Sequence, residues 1–202
     1  MIANHIHDAL AQVKTLQSYV LDRKNFKGFS GHGRFLGGVT VILTFFVLSY
    51  GWVPATVETH LATWAAVLVL GLIFNLGGLF YWFMYSPDAG RKWSELKPST
   101  DGLPILAVGG VLSFAVILKE QYDLLFGVWF SLYGLTHMIF RQKLPISNYY
   151  LGYVYLLVGA GCLLWQDISF VNPWPMGIVF GVGELVGGVI FYRNRYEQEE
   201  TE

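Results

Sequence analysis

Six apolar stretches, each close to the length of a membrane-crossing helix, leave this chain few alternatives to a bundle of helices in lipid. They fall near residues 35–53, 61–84, 103–119, 122–140, 148–165 and 175–193. A helix rises ~1.5 Å per residue, so ~20 apolar residues cover the ~30 Å hydrocarbon core of a bilayer. In that solvent every backbone N–H and C=O must be satisfied internally, which a helix does within one segment. The expected fold is all-α: a polytopic integral membrane protein with six transmembrane helices arranged as three hairpins. Charged residues make up 13% of the chain, about half the share of a soluble domain.

The positive charges orient the spans. Lys14, Arg23, Lys24, Lys27 and Arg34 precede the first span, and Arg91, Lys92 and Lys97 lie between the second and third. Arg141 and Lys143 follow the fourth, Arg193 and Arg195 follow the sixth, and Lys119 alone lies on the opposite side. The positive-inside rule then places both termini in the cytoplasm and the protein in the inner membrane as a multi-pass protein. The turns agree: Trp52-Val53-Pro54 ends the first span and Ser86-Pro87-Asp88 the second. Ser99-Thr100-Asp101 reads as the N-cap of the third.

Before the spans, residues 2–21 place Ile2, Ile6, Ala9, Leu10, Val13, Leu16 and Val20 on one helical stripe. This is an amphipathic helix lying on the membrane surface, or a short seam that pairs protomers. Gly28-Phe29-Ser30-Gly31-His32-Gly33-Arg34 reads as a flexible joint, since no strand precedes it and no Gly-Lys-Ser/Thr follows to make it a phosphate loop. The chain thus divides into a cytoplasmic helix and joint (1–33), a transmembrane domain (34–193) and an acidic cytoplasmic tail (194–202).

One carboxylic acid, Glu184, lies in the middle of the last apolar stretch, between Gly181, Gly183, Gly187 and Gly188. A charge at the bilayer centre costs at least ~2.5 kcal/mol, and such residues mark functional sites by default. The flanking glycines admit a close neighbouring helix that shelters the acid. Asn75, Ser131 and Glu184 each precede a glycine by three residues and each falls near the centre of an even-numbered span. If this spacing reflects a repeated hairpin, the three share one depth, as polar sites do in repeat-built transporters. Glu184 is then a proton-titrating or solute-binding acid, with Asn75 and Ser131 bonding the solute or the acid itself. The bland alternative is an acid that glues helices through a partner such as Asn75. His137 is a candidate proton relay. It sits some 120° around the helix from Ser131, which favours an interfacial histidine without chemistry.

Asn172-Pro173-Trp174-Pro175-Met176-Gly177 opens the last span, its prolines preset for a helix start. This hexapeptide resembles the Asn-Pro-x-Pro-x-Gly motif of the acetate/succinate transporter family, which are also small six-helix membrane proteins. The stretch from Gly109-Gly110 to Tyr133-Gly134 is loosely similar to that family too. There the motif belongs to the first helix; here it belongs to the last.

No nucleophile with its base, paired catalytic carboxylates, nucleotide loop or metal-ligand spacing stands out, so an enzyme, a cofactor and a metal are not expected. A net charge of −1 without a basic patch argues against nucleic acid. The expected role is a small transporter or channel-like protein for a weak-acid or neutral solute, with proton coupling as one option. The alternative is an accessory or scaffold subunit of a larger membrane complex. The expected partners are the lipid bilayer and either further copies of the chain or other membrane subunits, met through glycine-rich faces and the N-terminal helix.

Overall fold

The computed structural model describes residues 31–86 and 99–199 continuously, together with Leu10, Gln12, Val13, Gly28, Phe29, Ala89, Arg91 and Leu96. The amphipathic helix expected at 2–21 and the extreme tail lie outside the described residues, apart from Leu10, Gln12 and Val13. Six helices form the described chain, with no strand among them: α1 (Gly31–Ser49), α2 (Val57–Tyr85), α3 (Leu103–Leu118), α4 (Leu124–Ile139), α5 (Ile146–Leu164) and α6. The last opens as a π-helix, Pro175–Val182, and continues as an α-helix, Gly183–Glu199. Four of them, α1, α2, α5 and the Pro175–Asn194 part of α6, are long and apolar enough to cross a bilayer. The 16-residue helices α3 and α4 are shorter apolar helices.

Two expectations about boundaries are corrected. The glycine-rich joint is already helix from Gly31, because its glycines are contact points: a Cβ on Gly31 would lie 3.0 Å from the Gly188 carbonyl, and one on Gly33 3.0 Å from that of Phe74. The N-cap position of α3 is Gly102, which makes no side-chain cap, while Asp101 instead pairs with Lys143 at 2.7 Å. The acidic tail continues α6 as helix through Glu199. A cap does form at α2, where Thr56 Oγ1 accepts from the Thr59 N–H at 3.3 Å.

Helix pairing departs from simple hairpins. The most extensive contacts join α4 to α5 and α1 to α6, whereas the sequence neighbours α5 and α6 touch only lightly. α1 and α6 run antiparallel, with Gly31 against Gly188, Gly38 against Gly181 and Leu185, and Phe45 against Gly177. On the other pair, Gly134 meets Gly152 and Leu156, and Gly127 meets Gly159 and Leu163. Small residues at these crossings let backbones approach closely, the usual means of helix association in lipid. An aromatic core of Trp64, Phe126, Phe130, Tyr155 and Phe170 fills the space between the pairs. α2 and α3 lie at the periphery and expose apolar side chains such as Leu76, Phe80, Val111 and Phe114.

The crossings give a direct stability test. A Cβ on Gly159 would lie 2.5 Å from Ser131 Oγ and 2.6 Å from the Ser131 backbone nitrogen, whereas one on Gly161 meets open space. Gly159→Ala is expected to destabilise by ~1–3 kcal/mol through overpacking. Gly161→Ala should be neutral or gain up to ~1 kcal/mol from helix propensity. Denaturant titrations of the two variants in detergent micelles would check this, and equal midpoints would refute the crossing.

Candidate functional site

Glu184 lies just past the π-helical turns, level with Gly38 of α1, and is 3% exposed. Its neighbours come from three other helices. From α1, Arg34 donates through Nη2 to Oε1 at 2.6 Å and through Nε to Oε2 at 3.2 Å. This is the two-pronged geometry in which a guanidinium binds a carboxylate most strongly. From α4, the Tyr133 hydroxyl donates to Oε1 at 2.7 Å; from α5, that of Tyr155 does so at 3.4 Å. Arg34 Nη1 also donates to Asn148 Oδ1, in the first turn of α5, at 2.6 Å.

The glycines beside the acid make room for these partners. A Cβ on Gly183 would overlap the Tyr155 hydroxyl, and one on Gly187 would fall on the Arg34 guanidinium. The motif that shelters Glu184 therefore does so by accommodating polar side chains from α1 and α5. Buried ions need this much compensation, because desolvation otherwise outweighs their attraction.

His137, in the last turn of α4, is buried, with Nδ1 2.9 Å from the Tyr133 carbonyl oxygen. Its ring packs on Tyr133 and Tyr155, with centroids 4.7 and 5.6 Å away. The histidine thus faces the bundle interior from the last turn of its helix. Arg34, Asn148 and His137 lie near helix ends, while Glu184 and Tyr155 sit deeper, so the polar column runs from one end of the bundle toward its middle. Beyond Tyr155 the interior turns apolar through Phe130 and Phe126.

Asn75 and Ser131 take other places. The Asn75 side chain is exposed, and its Nδ2 donates to the Gly71 carbonyl of its own helix at 2.8 Å. Ser131 is half-buried at the α4–α5 crossing, facing Gly159. Neither is among the groups bonded to Glu184 in the described residues, so the partner expected for the acid, Asn75, is replaced by Arg34. The matching depth and spacing of the three could not reveal this, because position along a helix says nothing about which way round it faces.

Arg34, Tyr133, Asn148 and Tyr155 were not singled out from the sequence. Arg34 counts there as one more flanking positive charge, and the tyrosines as apolar or interfacial rings. The available signal was a lone arginine against an apolar helix paired with a lone intramembrane acid.

Within this cluster one group stands apart. Asn148 is 0% exposed, and its Nδ2 has no hydrogen-bond partner among the described residues. An amide nitrogen is a donor only, so what it can take is an acceptor oxygen. Among the described residues no three His, Cys, Asp or Glu side chains gather closely enough to hold a metal ion.

No protein-family model matches the chain, and neither a curated protein nor a solved structure is detectably similar to it. The Asn172–Gly177 hexapeptide has a local explanation: Asn172 Oδ1 accepts from the Trp174 N–H at 3.2 Å, Pro175 starts the π-helix, and Gly177 admits Phe45 of α1.

Proposed function

We propose that the chain is a small inner-membrane transporter or channel-like protein with six spans and cytoplasmic termini. Its solute site is the column of Arg34, Glu184, Tyr133, Tyr155, Asn148 and His137. The observation that carries this reading is the unpartnered Asn148 amide beside a guanidinium, both buried. An unsatisfied buried donor costs ~1–3 kcal/mol, a cost removed when a ligand supplies an acceptor. The ion pair already balances its own charge, so a carbonyl or hydroxyl oxygen of a neutral solute, or of a weak acid, suits the place. Intramembrane ionisable side chains that face a bundle interior commonly mark such pathways. In this reading Glu184 positions Arg34 and the two tyrosines, and Asn148 meets the solute.

A second reading, an accessory or scaffold subunit, is favoured by α2. Much of its apolar length is exposed, Leu76 and Phe80 included, and it carries the exposed Asn75. Such a helix suits docking to further copies or to other membrane subunits.

Flux separates the two. In liposomes loaded with purified protein, uptake of glycerol or succinate should exceed that of protein-free liposomes. Asn148→Leu should slow it about tenfold, the effect of losing one hydrogen bond of ~1.4 kcal/mol. A parent protein that moves no solute, and that co-purifies with other membrane subunits, would leave the accessory role instead.

A further inference from the structure

Where α4 gives way to α5, one cation is left without a carboxylate. The ion pairs among the described residues are Arg34 with Glu184 and Lys143 with Asp101, and Arg141 belongs to neither. Arg141 lies in the short turn Phe140–Gln142 and is exposed. Its guanidinium carbon sits over the ring of Tyr149, in the first turn of α5, 4.6 Å from the centroid. A guanidinium held on a ring face is attracted to it without spending a hydrogen bond, so its N–H groups remain to bind an anion.

A second donor shares that ring. The Tyr149 and Tyr153 hydroxyls are 2.7 Å apart, and the two ring centroids are 4.9 Å apart. One hydroxyl donates to the other, and the accepting one keeps its own O–H to give away. A group that answers both the guanidinium and this O–H is an anion with two acceptor oxygens.

The surroundings name the source of that anion. α5 is long and apolar enough to cross a bilayer, which puts its first turn at the depth of the lipid headgroups. Ile146, Tyr150, Val154 and Leu157, at helical steps of four and three, carry an exposed stripe down the same helix. An acyl chain fits that stripe, and the phosphodiester above it fits Arg141 and the tyrosines. Because no carboxylate balances Arg141, a headgroup that adds a cation of its own is disfavoured.

We infer that Arg141, Tyr149 and Tyr153 form a binding site for the phosphodiester of one anionic phospholipid, whose acyl chains lie along the exposed stripe of α5. The site stands independently of the solute reading for the Arg34 cluster, since Asn148, the residue before Tyr149, is buried in the bundle.

The test uses the full chain in detergent micelles, titrated with phosphatidylglycerol or phosphatidylcholine and read by native mass spectrometry. The parent protein should bind one phosphatidylglycerol more tightly than phosphatidylcholine. Arg141→Gln should lower the phosphatidylglycerol affinity about tenfold, the loss of one charge-assisted contact. Tyr149→Phe with Tyr153→Phe keeps the ring beneath the guanidinium and should lower it roughly threefold. Lys119→Gln removes an equal charge at the far end of α3 and should leave the affinity unchanged. An equal loss in Lys119→Gln, equal affinity of the parent for the two lipids, or release of phosphatidylglycerol by an equal concentration of inorganic phosphate overturns the proposal. The comparison of lipids on the parent needs no variant to fold.

Discussion

Replacing Arg34 by methionine is expected to destabilise the folded bundle by ~3–5 kcal/mol, the cost of leaving one member of a buried ion pair uncompensated. The reason is geometric. Three of the guanidinium nitrogens are engaged, two with Glu184 and one with Asn148 Oδ1, so methionine leaves the acid with only its tyrosine donors. At ~2–4 °C per kcal/mol for a chain of this size, the melting temperature should fall by about 10 °C. Glu184→Leu alone should do comparable harm by orphaning the arginine. The double variant, Arg34→Met with Glu184→Leu, should recover at least ~2 kcal/mol, because two apolar side chains need no partners. Thermal unfolding of all four proteins in nanodiscs closes this cycle. Additive losses would mean that the pair is not coupled and that the site has been wrongly assembled.

Gly187→Ala is the next most damaging change expected, although alanine is the better helix former by ~1 kcal/mol. Its methyl group would occupy the position of the Arg34 guanidinium. A free arginine tip would swing away, but this one is pinned by its bonds to Glu184 and Asn148. The net cost should be ~1–3 kcal/mol, as for other overpacked interiors. Gly37→Ala in α1, where a Cβ meets nothing within 4 Å, is the matched control and should be neutral or slightly stabilising. Denaturant midpoints that rank the two variants the other way would remove Gly187 from the site.

Much of the fold was legible because burial in lipid writes itself as long apolar runs. The helices lie within about four residues of the six apolar stretches, except that α6 runs six residues further, and α1 starts four residues early. That error had a consequence. Reading Gly31-His32-Gly33-Arg34 as a joint put Arg34 in solvent, where a positive charge is ordinary, and hid the partner of Glu184. Glu184 itself was legible because an acid is costly in an apolar run. Asn148 and the two tyrosines were not, since a tyrosine on a membrane helix costs little and an asparagine beside a span end is unremarkable. The even spacing of Asn75, Ser131 and Glu184 suggested a shared site. Asn75 turns outward, since α2 buries the face that carries His60, Trp64 and Leu79, and Ser131 turns toward Gly159 at the α4–α5 crossing.

What the sequence determined by itself is the set of helices, through runs of apolar side chains whose backbones have no other way to be satisfied in hydrocarbon, and the one acid that such a run cannot carry unaided. Only the tertiary structure decided who compensates that acid. The answer depends on α1 packing antiparallel to α6, a contact between residues 150 positions apart in the chain. Side-chain chemistry states what Glu184 needs, and helix packing chooses Arg34 as the group that supplies it.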